Sequence, residues 1–559
     1  MVSLTEVVAP VSLLSWRTVG AVLAAWLLYY FVRALYNVSP LHPLSKIPGP
    51  KLAGASYLYE FWFDFVKKGR YTLEIRRLHE VYGPIVRINP DEIHCNDVNF
   101  TDEIYSINGR KRNKHPHQQK NLPEAQNVAH ASTIDHDLHR RRRGAISKFF
   151  SRAQIFKLEP KIQVLAQRLC DKLLAEASNP DRVVPLTDAY SCFTSDVVSE
   201  YCFGEAFGFL DRETWTPNFR EAVYGQLNHI FIFRFFPWLK AFLLVGPMFK
   251  DYLPRDMALL IDTVDTVIPR HVEQARERKR LGAGDGKTTN VFGELFESDL
   301  PPEEKTTKRL TAEGLLTIIA STETTSFTLT VITFYLLTKP HVLEKLTQEL
   351  RTVVTDPEYL PSWPTLEALP YFTAVISKGL RLAPGVASRT ARIATREDLV
   401  YRGKWTPKGT RTEVEVDYLI PRSYAMGMSA MVNHFNETHF PDANEFIPER
   451  WMVQDRHQRR QMDKAFFSFG KGTRMCLGMS LAHAELYLAL AALVLRVVTP
   501  PPYIRTTPTS EPPSSPPSPP LLPLILLSLP PTYMQLSASL GNSDALDSSG
   551  LSILPGSGL

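Results

Sequence analysis

Residues 466–478 read FFSFGKGTRMCLG. Three glycines, a lysine and an arginine crowd a short loop that closes on one cysteine. Glycine removes a side chain where the backbone must bend sharply or approach another group closely. Arg474 in such a loop points to a fixed anion, and Cys476 to a metal or a reactive thiol. An apolar run, MSLAHAELYLALAALVL (479–495), follows and is long enough for a helix. The plainer alternative is a glycine-rich turn around an inert buried cysteine, the commoner fate of a lone cysteine.

The whole chain narrows the choice. Over 559 residues, 63 basic and 58 acidic side chains leave a formal charge of +5. That is too balanced for nucleic-acid binding, and no basic-aromatic stripe supports it. Five cysteines (95, 170, 192, 202, 476) are scattered and odd in number. A disulfide framework is therefore not expected, and a reducing compartment is.

The N-terminus carries TVGAVLAAWLLYYFV (18–32), uncharged between Arg17 and Arg33. Extended to Tyr36, it approaches the roughly 20 residues that cross a bilayer. A signal peptide competes, but SPLHPLSKIPGPK follows instead of a small-residue cleavage site. Arg33, Lys46 and Lys51 outnumber Arg17, so the positive-inside rule puts the body in the cytoplasm. The expectation is a short lumenal end (1–16), a single-pass anchor (17–36) and a proline-rich neck (37–50).

Beyond the neck, YGPIVRINPDEIHCND (82–97) alternates as short strands do. From about 140 to 350 the apolar periodicity is mostly helical. The aromatic run HIFIFRFFPWLKAFLLVGP (229–247) reads as a core or membrane-resting helix pair, with a ligand-binding flap as the lesser alternative. From 499 onward the chain turns to proline-rich low complexity, expected to be an unstructured tail over 499–559.

FGKGTRMCLG (469–478) fits F-x-x-G-x-R-x-C-x-G at every defined position. It resembles the haem-binding loop of the haem-thiolate monooxygenases, the cytochrome P-450 family. The resemblance covers roughly 51–498 and implies a mainly α fold with a smaller β part. It implies haem b ligated through Cys476, with O2 and electrons from NADPH through a cytochrome P-450 reductase. A thiolate ligand favours O–O cleavage. Phe469, Gly470, Gly472 and Gly478 would shape the loop under the macrocycle, and Arg474 would pair with a propionate. In DLHRRRRGAISKFFS (137–151), His139 and Arg143 lie one turn apart where the family has an aromatic and a propionate-binding arginine. A merely solvated basic face is the alternative there. Arg392 matches a further propionate position.

ASTETTS (320–326) resembles the family's oxygen-activating helix. Its acid and alcohol fall on Glu323 and Thr324, which can relay the protons that reductive O–O cleavage consumes. Alternatively, the threonines bond back to the preceding turn and Glu323 faces water. Ala320, Val386 and Ala387 are expected to border a pocket for a lipophilic substrate. The resemblance implies residence in the endoplasmic reticulum membrane. Segments 135–151 and 433–451 look most like the fungal branch containing trichodiene oxygenase and related sesquiterpene oxygenases. A haem-thiolate isomerase acting on peroxides is disfavoured by the Glu323–Thr324 pair.

One position departs from the pattern. FIPERW (446–451) matches the meander that places Arg450 in an ion cluster with an E-x-x-R helix, but that helix reads Lys378-Gly-Leu-Arg381. Three cations would meet with no anion. Either Lys378 swings out, or it loses its proton, or another acid steps in, or haem binds poorly. Residues 404–418 also look like an insertion in a place where the family needs only a turn. A catalytically defective copy of such an enzyme is therefore the alternative reading.

Overall fold

The computed structural model describes residues 16–179, 183–282, 290–407, 409–499 and 525–526. Two compact units emerge, 1–104 with 390–428, and 105–389 with 429–559.

In the first unit, the N-terminal apolar run forms helix α1 (Trp16–Val38), somewhat longer than the expected 17–36. Its mean hydropathy reaches 1.6 and none of that window is buried, so it presents lipid-compatible surface all round. Thr307–Thr338 and Met479–Val498 are also apolar enough to span a membrane, but 67% and 83% of those windows are buried as core. Helix ends leave carbonyls without partners. At the end of α1, Arg87 Nη1 donates to the Asn37 carbonyl at 2.9 Å, and its Nη2 reaches the Pro90 carbonyl at 2.9 Å. Asn37 Nδ2 in turn donates to the Ala55 carbonyl at 2.8 Å. The anchor is thus tied to the sheet by buried polar groups.

The expected strands are present as β1 (Ile85–Asn89) and β2 (Glu92–Cys95), antiparallel with Val86 opposite His94. β3 (Arg392–Ala394), β4 (Leu399–Trp405), β5 (Val414–Ile420) and β6 (Ala425–Gly427) are the unit's other strands. β2 pairs in parallel with β6, and β6 antiparallel with β3. Residues 404–418 form the outer part of a β4–β5 ribbon, in register from Leu399↔Ile420 to Trp405↔Val414.

The second unit is helical, as the periodicity predicts. Its main elements are α2 (His136–Ser147), α3 (Arg152–Ala177), α4 (Leu186–Phe203), α5 (Arg220–His229), α6 (Thr307–Thr338), α7 (Pro370–Leu382) and α8 (Met479–Ala492). α6 begins at Thr306, whose side chain accepts from Arg309 N, and ends where Lys339-Pro340 cannot continue it. At 32 residues it is about 48 Å long. α4 is almost wholly buried and packs along α6, and α8 packs on α3. A polar seam joins α4 to α6: Thr194 Oγ1 donates to the Thr322 carbonyl at 2.9 Å, and the Tyr190 and Thr333 hydroxyls meet at 2.7 Å.

The aromatic run 229–247 does not form a core helix pair. It breaks into short helical segments that expose Trp238 and Phe242, a surface its membrane-resting alternative allows. Pro237 and Pro247 interrupt the helix, which leaves an apolar surface patch. The expected lumenal end lies outside the described residues apart from Trp16. Of the expected tail, only Thr499 and Ile525–Leu526 are described, and the latter pair in parallel with Val184–Pro185.

Candidate active site

Cys476 alone among the five cysteines is exposed, and all five are unpaired. Burial pushes the thiols of Cys170 and Cys192 up to about 12. The Cys476 thiol is also raised by its apolar setting, but the Gly478 N–H donates to its sulfur and Arg143 lies close enough to lower it. Those two influences stabilise a thiolate.

The loop geometry explains the glycines. Gly470 and Gly472 have φ of +70° and +73°, where a side chain is strained. A Cβ on Gly472 would also stand 2.2 Å from the Tyr105 carbonyl oxygen. The loop then turns back, with Cys476 N donating to the Phe469 carbonyl at 2.8 Å. Gly478 has an ordinary φ of −84° and open space where a Cβ would sit, so no bend requires it. The Phe469 ring packs edge-on against His483 at 5.0 Å.

Several expected cofactor residues gather here. Arg474 Nη1 donates to the Thr133 carbonyl at 2.7 Å, and Nη2 to Ile134 at 2.9 Å. Its charge reaches His139 on α2. Burial, Arg474 and His130 push the His139 imidazole down to about 2, with Arg143 adding to the effect. His139 is therefore a neutral ring at physiological pH. Arg143, one turn further, is desolvated, and Cys476 is the partner that favours its charge. Arg392 lies on β3, in the other unit, with Nη1 donating to the Ala391 carbonyl at 3.0 Å.

Sequence reading missed the network that fixes Arg474's neighbours. The loop before α2 is held by Glu313 on α6, which accepts from His130 N at 3.1 Å and also bonds the His130 ring and Arg309 Nη1. Glu304 joins Arg309 to Arg142 through bonds of 3.2, 2.7 and 2.7 Å, and Arg142 reaches Thr133 Oγ1 at 2.8 Å. Against the cost of burial, His130 and Arg309 hold the Glu313 carboxyl down to about 2.

On α6, Ala320 and Thr324 are exposed one turn apart on a helix whose other faces are largely buried. Thr324 Oγ1 donates to the Ala320 carbonyl at 2.8 Å, the back-bonding that the plainer reading anticipated. Glu323 does not face water. It is buried, with Oε1 accepting from Ser191 Oγ at 2.8 Å and Oε2 without a hydrogen-bond partner. Burial raises its carboxyl to about 7. Gly385 abuts Thr324: a Cβ there would stand 2.9 Å from Thr324 Cγ2. Val386 is 58% exposed beside it, and Ala387 is half-buried. A second buried acid, Glu485 on α8, has its carboxyl raised well above the usual range by burial, with Thr325 the donor that opposes the shift.

Lys378 sits inside the cluster. It is fully buried on α7 and its Nζ has no hydrogen-bond partner. Arg381 turns to carbonyls, donating to His434 O and Ala443 O, with Phe440 4.9 Å beneath the guanidinium. Arg450 Nε and Nη1 are buried without partners. Glu445, the acid whose field reaches Lys378, pairs with Lys339 at 3.0 Å. Burial first, then Arg381 and Arg450, push the Lys378 amine well below its ordinary range. Lys378 neither swings out nor gains an acid, and its surroundings disfavour the charged amine.

The sequence pattern of the cytochrome P450 family matches residues 48–520. The chain belongs to the cytochrome P450 family. It is 40% identical to cytochrome P450 monooxygenase ppzE of Metarhizium majus over 78% of this chain and 92% of that protein. It is 35% identical to tpcC of Cochliobolus heterostrophus over 85% of this chain and 87% of that one. It is 34% identical to TRI4 of Trichoderma arundinaceum over 85% and 88% respectively. A P450 monooxygenase binds haem through a cysteine thiolate and uses O2 with reductase-supplied electrons. The residues present fit that group. An exposed sulfur with an N–H donor lies beside Arg143, a desolvated arginine with no ion pair among the described residues, suited to a carboxylated macrocycle.

Proposed function

We propose that this P450 is a single-pass membrane protein, oriented with its body on the cytoplasmic side of the endoplasmic reticulum. It inserts one oxygen atom from O2 into a lipophilic small molecule, a terpenoid of secondary metabolism, with electrons from NADPH through a cytochrome P-450 reductase. The relatives named TRI4 in two fungi, and the resemblance of segments 135–151 and 433–451 to the trichodiene-oxygenase branch, support the terpenoid class. The exposed apolar length of α1 supports the anchor.

The observation that carries the reading is the exposed Cys476 sulfur, with the Gly478 N–H on it and Arg143 beside it. Cys476 would bind the haem iron through its thiolate, and Arg474, Arg143 and His139 would hold the propionates, His139 as a neutral donor. Arg392 is a further propionate candidate. Haem, once bound, supplies dioxygen activation, with the thiolate favouring O–O cleavage. Glu323 holds a proton near neutral pH and Thr324 offers a hydroxyl on the open face of α6, an acid and an alcohol suited to proton delivery. Ala320, Val386 and Ala387 present small apolar surface to substrate.

The test is a carbon monoxide difference spectrum of the reduced purified protein. A thiolate-type Soret band is expected, and Cys476→Ser removes it; no such band in the wild type overturns the enzyme reading. A second reading, a haem-poor defective copy, is favoured by one observation, the fully buried and unpartnered Lys378.

A further inference from the structure

We propose that Ser191 on α4, with the Asp188–Arg220 pair beside it, forms the outer half of the path that carries solvent protons to Glu323. This rests on the reading of Glu323 as the site's proton donor and adds the route that refills it.

Glu323 divides its two oxygens. Oε1 accepts from Ser191 Oγ at 2.8 Å, and Oε2 is buried with no partner. A carboxyl so placed receives a proton on one side and releases one on the other. Ser191 itself is fully buried and keeps an acceptor lone pair. Asp188 lies three residues earlier on α4, on the same helical face. Its Oδ1 stands 3.6 Å from Arg220 Nη1 and accepts from Asn218 Nδ2 at 3.2 Å. Asp188 and Arg220 each keep 12% of their side-chain surface accessible, and Glu221 beside them is 61% exposed. The groups therefore descend from solvent through a half-screened ion pair to a buried hydroxyl and a buried acid.

The charged groups that reach Glu323 are Arg220, Asp188 and Glu221. Tyr224 on α5 also feels its charge, while Glu485 on α8 faces Thr325 instead. Arg220 favours the carboxylate, and the two acids favour the protonated form. In one cycle Ser191 Oγ–H passes its proton to Oε1 as Oγ accepts another from a solvent proton entering at Asp188. One proton moves inward and nothing is oxidised or reduced. α4 contributes no residue to the cysteine loop, so this route is separate from the cofactor contacts.

The experiment uses the full-length holoenzyme with its reductase and compares Ser191→Ala, Ser191→Thr, Arg220→Gln and Glu323→Gln. Two readouts are followed: the infrared carboxyl stretch of Glu323 against pH, and hydrogen peroxide released per O2 consumed. Removing the Ser191 donor or the Arg220 charge destabilises the carboxylate. The midpoint of the Glu323 band is therefore expected to move up by about 1 pH unit in each variant. Peroxide release rises and kcat falls roughly tenfold with KM unchanged, and Ser191→Thr restores both. Coupling and midpoint unchanged in both Ser191→Ala and Arg220→Gln, while Glu323→Gln uncouples, overturn the route alone. Unchanged coupling in Glu323→Gln overturns the donor reading and the route with it. If Ser191→Ala fails to fold, Arg220→Gln decides on the same readouts.

Discussion

Replacing Lys378 by methionine removes one amine and keeps the side chain's length to within one atom. In the native protein that amine is fully buried without a hydrogen-bond partner, beside Arg381 and Arg450. An uncompensated buried charge costs about 3–5 kcal/mol, and shedding the proton instead transfers the cost to deprotonation. Lys378→Met should therefore stabilise the protein at neutral pH by an amount of that order. For a domain of several hundred residues, unfolding entropy near 2 cal/mol/K per residue makes 1 kcal/mol worth roughly 1 °C. The expected rise in Tm is thus about 3–5 °C. The pH dependence is the sharper test. The unfolded lysine keeps its proton up to about pH 10.4, whereas the folded one, pushed well below that range by burial, releases it at lower pH. The unfolded state binds more protons, so wild-type stability rises with pH, by up to about 1.4 kcal/mol per unit, until that limit. The variant lacks this slope, so its advantage shrinks between pH 7 and 10. Denaturant unfolding of both proteins across that range measures it. An advantage that is absent at pH 7, or constant with pH, refutes the buried neutral lysine.

Three further outcomes follow from the geometry. Glu313→Gln removes the acid between His130 and Arg309 and should cost about 3–5 kcal/mol in chemical unfolding. Because the Glu313 carboxyl is held down to about 2, its contribution persists above the ordinary carboxylate range and is lost only as pH falls towards 2. Gly472→Ala places a Cβ 2.2 Å from the Tyr105 carbonyl oxygen at φ +73°, and haem titration of the variant should show at least tenfold weaker binding, a loss of about 1.4 kcal/mol or more. Deleting residues 16–38 should move the protein from the membrane fraction to the supernatant on centrifugation, since α1 carries its longest fully exposed apolar surface among the described residues.

Local patterns were legible in the sequence and distant partnerships were not. The cysteine loop declared itself because its glycines, arginine and cysteine lie within ten residues and answer to backbone geometry. Glu323 could be named, but Ser191 is 132 residues away and nothing in its own neighbourhood marks it. The same holds for His130 and Glu313, 183 residues apart, although Arg309 and Glu313 at helical spacing gave half of that signal. Residues 404–418 stand out in sequence because the family needs only a turn there, and the alternating VEVDYLI at 414–420 already has the period of the strand it forms. The aromatic run at 229–247 lost only the core half of its reading, and its exposed apolar surface leaves the membrane-resting half standing. Composition says how apolar a segment is, and burial depends on what packs over it.

His434 explains why the cluster around Lys378 bears on the cysteine loop at all. Its ring lies fully buried between them, Nδ1 donating to the Arg381 carbonyl at 2.8 Å and Nε2 accepting from Phe467 N at 2.8 Å. Only the neutral ring with its proton on Nδ1 makes both bonds, and burial with Arg381 nearby pushes the imidazole down to about 3, which keeps it neutral. Ser468 Oγ adds a bond to the Leu380 carbonyl at 2.8 Å. The end of α7 and the start of the loop are thus one hydrogen-bonded body. Strain from a misfit at Lys378 falls on the segment that aims Cys476. Lys378→Glu, which returns a carboxylate to Arg450, should therefore raise haem occupancy along with Tm. A higher Tm with unchanged occupancy would show that the His434 bridge does not transmit the misfit, and that the lysine burdens folding without touching the site.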